Sequence, residues 1–85
     1  MPQFLDHHPT AHSALTEEAV EQLRNHIRAE TPDDFGVKWL SVYVTANGQG
    51  YCISEAPNAE AVVKSHELMG YLIETTDVME VANLT

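Results

Sequence analysis

The sequence predicts an α+β domain with elements in the order strand, helix, strand, strand, helix, strand, and three observations carry that prediction. The segment Val37 to Thr45 is rich in β-branched and aromatic residues. Asn47-Gly48, just after it, is a strong short-range hairpin signal. Apolar residues recur at helical spacing on either side of that hairpin. Eighty-five residues leave room for one domain, residues 1–85, and no linker or repeat divides them.

Taken in order, Gln3 to His8 is a short strand stopped by Pro9. The first helix begins at Thr16, a good N-cap, with Glu17 and Glu18 in the first turn, where the helix dipole favours acids. Leu15 and Val20 are placed to form a hydrophobic staple, and Val20, Leu23 and Ile27 mark the packing face, bordered by His26. Thr31-Pro32 ends this helix, since the residue before proline avoids the helical region. The hairpin returns as Tyr51 to Glu55, and Ala56-Pro57 stops it. Asn58 caps the second helix, whose stripe runs through Ala59, Val62, Val63, His66, Met69 and Ile73, with Gly70 inside it hinting at close packing. A last strand follows from about Asp77 to Ala82.

This order is the split βαβ, or ferredoxin-like, arrangement: a four-stranded antiparallel sheet with two helices on one face. A two-residue turn at Asn47-Gly48 would set Val44 opposite Tyr51, Tyr43 opposite Cys52 and Val42 opposite Ile53. Leu40, Val42, Val44, Tyr51 and Ile53 then share one face, and Trp39, Ser41, Tyr43, Cys52 and Ser54 the other. The face carrying Trp39 and Tyr43 would be the one the helices leave bare. A contiguous aromatic patch of that kind marks an interface, so a homodimer is expected. A chain this short buries only about 60–65% of its unfolded surface, and pairing would add to a small core.

The hydrophobic fraction of 44% is that of a globular chain. Thirteen acids against four bases, a formal charge of -9, argue against nucleic acid and anionic membranes as partners and favour cations. The lone Cys52 excludes an internal disulfide and points to a reducing, cytoplasmic setting. Met1 to His8 lacks the basic and apolar regions of an export signal, and no stretch approaches the roughly 20 apolar residues of a membrane helix.

Asp6 and His8 lie two apart on a strand, so their side chains point the same way. On the bare face they would lie near Tyr43 and Cys52, and carboxylate, imidazole, phenol and thiolate together can hold a transition metal. Otherwise they are polar residues at a strand end. His66 sits in the apolar stripe of the second helix, either as a buried histidine with one satisfied nitrogen or as a partner of Glu55 at the end of the third strand. A carboxylate orienting an imidazole serves both behind metals and in acid/base pairs. Cys52 alone reads as a quiet, half-buried thiol, with no CxxC motif or basic cluster to activate it. His7, His8 and His12 cluster around Pro9 without a closed ligand spacing. No nucleophile elbow, phosphate loop or zinc-protease motif is present.

Phe4-Leu5-Asp6-His7-His8, Tyr51-Cys52-Ile53-Ser54-Glu55-Ala56-Pro57, then Ala61-Val62, His66 and Gly70 resemble a family of small bacterial proteins. It is a domain-of-unknown-function family whose characterised members are described as nickel-binding. The resemblance covers nearly the whole chain, with departures at Pro9 and at Tyr71-Leu72. It implies a ferredoxin-like dimeric α/β barrel that holds a divalent transition metal, nickel first, at Asp6, His8, Cys52, Glu55 and His66. The leading expectation is therefore a metal-binding protein without catalytic turnover. The alternatives are a small dimeric-barrel enzyme of isomerase or oxygenase type, using Glu55 and His66 as an acid/base pair, and a structural or partner-binding module.

Overall fold

The computed structural model of the chain describes residues 1–9 and 15–85. In β1 (Gln3–His8) Phe4 and Asp6 are buried while their neighbours are less so, the period-two alternation of a strand covered on one face. β1 is central: it pairs antiparallel with β3 (Gly50–Glu55) on one side and β4 (Val78–Val81) on the other. β2 (Lys38–Val44) joins β3 at the edge, giving the order β2-β3-β1-β4. With α1 (Glu17–Arg28) and α2 (Ala59–Leu68) the chain has the ferredoxin-like βαββαβ fold. Both helices cover one face, since His26 of α1 and Ser65 and His66 of α2 all contact Trp39.

Local chemistry fixes the helix ends. The Ala19 N–H donates to Thr16 Oγ1 at 3.1 Å, and the Ala61 N–H to Asn58 Oδ1 at 2.8 Å, so each helix starts on a side-chain cap. α1 stops at Arg28, short of Thr31-Pro32, with Glu30 left-handed just beyond the cap (φ 55°). α2 stops at Leu68, so Gly70 and Ile73 lie outside it rather than in its stripe. The Tyr71 N–H reaches the His66 carbonyl (2.8 Å) and the Gly70 N–H the Glu67 carbonyl (3.0 Å), the paired bonds of a Schellman turn. Gly70 has φ 89°, and a side chain there would meet nothing within 4 Å. Backbone conformation, not tight packing, therefore requires glycine. Gly70→Ala should cost about 1–2 kcal/mol, lowering the thermal midpoint by roughly 4–8 °C per kcal/mol in a domain of this size. A melting curve unchanged by the substitution would contradict this.

The hairpin register differs from the two-residue expectation. Gly48 takes a left-handed φ of 84°, its N–H bonds the Thr45 carbonyl at 3.0 Å, and the Thr45 N–H bonds the Gln49 carbonyl at 2.7 Å. The loop thus holds one more residue, a type of hairpin that closes with a left-handed glycine. Val44 faces Gly50, Tyr43 faces Tyr51, Val42 faces Cys52 and Ser41 faces Ile53. A bulge at Leu40 then shifts the ladder again, so that Trp39 pairs with Ser54. These two offsets correct the expected faces. Trp39, Val42, Cys52 and Ser54 share the helix-covered face with Phe4 and Asp6, and only Tyr43 of the expected aromatic pair remains on the bare one.

The core gathers Phe4, Leu23, Val37, Trp39, Cys52, Ala56, Ala61 and Val62. Within it the Trp39 indole N–H donates to Ser65 Oγ at 2.8 Å, and the Ser65 hydroxyl donates in turn to Asp33 Oδ2. The other Asp33 oxygen accepts from the Phe35 and Val37 N–H groups at 2.9 and 3.1 Å. One carboxylate therefore holds the loop before β2 and, through a serine, the orientation of the indole. Among the described residues no helix is long and apolar enough to cross a membrane.

Candidate metal centre

Asp6 and Cys52 are direct cross-strand partners on the helix side of β1 and β3, and His8 follows Asp6 on the same face. His66 comes down from the last turn of α2. The site therefore lies between sheet and helix, and Cys52 is not on the bare face where the expected register set it. Asp6, Cys52 and His66 are buried and His8 partly so, and one ligand atom from each falls within 4.8 Å of the others.

The Asp6 carboxylate is the hub. Its Oδ2 accepts a hydrogen bond from His8 Nε2, and His66 Nε2 stands 2.9 Å from the same oxygen, outside hydrogen-bond geometry. Cys52 Sγ lies 3.6 Å from His8 Nε2. His66 Nδ1 is 2.8 Å from the Val62 carbonyl, one turn back, and a carbonyl only accepts, so Nδ1 carries the proton. In the neutral ring Nε2 then presents a lone pair to a carboxylate oxygen. Two acceptors in contact repel unless a proton or a cation lies between them. Asp6 Oδ1 and His66 Nε2 are buried without hydrogen-bond partners.

Rings stack around this hub. The Trp39 and His66 centroids are 4.4 Å apart with planes inclined by 22°, and His8 stacks on His66 at 5.1 Å. Tyr71, carried back by the Gly70 turn, meets His8 edge-on at 6.3 Å. Burial pushes the Asp6 carboxyl up, but its contacts with His66 and His8, and the positive charge those rings carry when protonated, outweigh that and hold it below the usual carboxylate range. Burial, then the Asp6 charge and a hydrogen bond to it, push the Cys52 thiol far up. Burial and the neighbouring Cys52 raise the Tyr71 phenol. A carboxylate, two imidazoles and a thiol in so small a core stabilise it less than apolar side chains of like size would. Perturbed groups gathered this way mark functional sites.

Four of the five residues expected at a metal thus come together: Asp6, His8, Cys52 and His66. Glu55 does not join them. It pairs with Gln3 and Lys38, out of phase with Cys52 and Ser54, and so faces away from His66. The Glu55–His66 acid/base pair is therefore absent, and Asp6 stands where Glu55 was expected. Tyr43 is on the far face too, as is His7, whose Nε2 donates to Gln49 Oε1 at 3.0 Å. His12 lies outside the described residues. The sequence reading missed Trp39, Ser65 and Tyr71 as neighbours of the site. The serine directly before His66 in an apolar stripe was the available signal for a polar contact there.

The sequence profile of a family described as "Nickel responsive protein SCO4226-like" matches residues 4–81. Among solved structures, the chain is similar to SCO4226 from Streptomyces coelicolor A3(2), with 30% identity and a TM-score of 0.74 over 98% of this chain and 99% of that one. No curated protein matches the chain.

Proposed function

The chain belongs to the SCO4226-like family of nickel responsive proteins, and from that premise we propose that it binds one divalent transition-metal ion, nickel first, without turning over a substrate. The observation that carries the reading is the convergence of four donors, with the His66 tautomer set by the Val62 carbonyl so that Nε2 turns its lone pair inward. Asp6, His8, Cys52 and His66 would hold the ion. Two imidazoles, a thiolate and a carboxylate form a borderline set that suits nickel, zinc, cobalt or copper better than calcium or magnesium. The Val62 carbonyl behind His66 is the kind of support that orients a ligating imidazole. A net charge of -9 favours the encounter with a cation. A reducing compartment, the cytoplasm, would keep Cys52 available as a ligand.

Trp39, the chain's one tryptophan, stacks on His66 and provides the assay. Nickel should quench its fluorescence with a stoichiometry of one per chain, and His66→Ala should abolish the saturable response. A response that never saturates would overturn the reading. Binding should also release protons. The raised Cys52 thiol keeps its proton at neutral pH, and the ligand is the thiolate, so affinity rises with pH. The test is the dependence of the calorimetric heat on buffer ionisation enthalpy. No such dependence would remove Cys52 from the ligand set.

We further propose that the protein acts as a homodimer joined through the bare sheet face. Leu5, Met79, Ile53, Tyr51 and Tyr43 share that face by strand pairing, and Tyr43 and Met79 are each 61% exposed. A second copy would cover this apolar surface, and sheet-to-sheet contact would close the barrel that the family resemblance implies. Tyr43→Lys should give a monomer by sedimentation while leaving metal content unchanged. A wild-type chain that sediments as a monomer at micromolar concentration would exclude the dimer.

A further inference from the structure

A cavity of about 200 Å³ adjoins the metal cluster, and His8, Cys52 and His66 form part of its wall. Asp6, fully buried, is not among the lining residues. Three ligand residues thus face the hollow and one backs them. The rest of the wall is mainly apolar: Leu23 from α1, Trp39 and Val42 from β2, and Leu72 after the Gly70 turn, with Tyr71 adding a phenol. No lysine, arginine, aspartate or glutamate lines it among the described residues.

We propose, building on the metal reading above, that an ion held by the cluster takes a further ligand from this cavity: a small neutral molecule with an apolar, ring-sized body and one nitrogen or sulfur donor. The size follows from the volume, since an apolar cavity of about 150 Å³ accommodates benzene. Neutrality follows from the wall. A carboxylate or phosphate would meet no counter-charge on this wall beyond the ion itself, and a charge set against apolar side chains without a partner is costly. The donor type follows from the metals that the cluster suits, which prefer nitrogen and sulfur. Four protein donors would leave room for one more where the ion adopts the tetragonal geometry that nickel and copper favour. The cavity would thus make the protein a receptor for a metal-bound small molecule as well as for the metal.

The experiment uses protein loaded with cobalt(II), whose visible bands report coordination, with metal content measured in parallel. Imidazole should shift the bands saturably without removing the ion, and acetate should not. Val42→Phe, which fills the cavity, should retain the ion and weaken the imidazole response about tenfold or more. Leu72→Trp, at an exposed position on the cavity wall, should do the same and decides the matter if the first variant does not fold. A cobalt-loaded wild type indifferent to imidazole would overturn this proposal alone, as would an equal response in the filled variant or to acetate. Failure to take up any cobalt would overturn the metal reading and this one together.

Discussion

Asp6→Asn should weaken nickel binding about a hundredfold or more while leaving a folded protein, because even supporting groups at metal sites commonly contribute tenfold to a hundredfold. Oδ2 is in contact with both imidazoles. The substitution keeps the shape of the side chain but removes the charge that draws a cation between His66 Nε2 and His8 Nε2. It also removes one partner of a buried charge cluster and leaves the two imidazoles without their carboxylate, so stability should fall, by up to about 3–5 kcal/mol. Loss of binding in variant protein that circular dichroism shows to be folded, well below its urea midpoint, would separate a ligand role from a structural one. Equal nickel affinity in the variant and parent would dismiss Asp6 as a ligand.

Trp39 should carry the largest single share of stability. The side chain is 3% exposed, packs between both helices and donates to Ser65. Trp39→Ala should cost about 3–5 kcal/mol, a large part of the roughly 5–15 kcal/mol that holds a domain folded. The urea midpoint should fall accordingly, and the variant should be partly unfolded at growth temperature. Trp39→Phe retains most of the packing but leaves Ser65 Oγ without its donor and replaces the indole stacked on His66. Its stability should fall by about 1–3 kcal/mol. Its nickel affinity should fall up to about tenfold through the loosened imidazole, measured by competition with a chromophoric chelator since the fluorophore is gone. Full stability in both variants would show that the stack is incidental.

The strand and helix order was legible because each element carries its own local signal. Thr16 and Asn58 announce the helix starts, and the β-branched run before Asn47-Gly48 announces the hairpin. The faces were not legible, for a physical reason. Strand faces depend on parity, so one extra residue in the loop and one in the bulge each invert them, and neither has a unique sequence signature. Asp6 and His8 were legible as a same-face pair and His66 as a histidine in an apolar stripe, whereas Cys52 by itself read as a quiet thiol and joined them through the family resemblance. Their meeting place was not legible. It required the direct Asp6–Cys52 pairing and the burial of that face under α2, and the error over Glu55 has the same origin in parity.

The bulge at Leu40 also bears on how this chain can tolerate change in length. Removing that one residue would leave Ser41 opposite Ile53 and Trp39 opposite Ser54, in an unbroken ladder with Trp39 still under the helices. Were Leu40 instead taken into the ladder opposite Ser54, Trp39 would turn out to the uncovered side, away from Ser65 and His66. The bulge thus absorbs a residue that a regular strand has no place for. Deletion of Leu40, which is only partly buried, should therefore be borne with the tryptophan still in place.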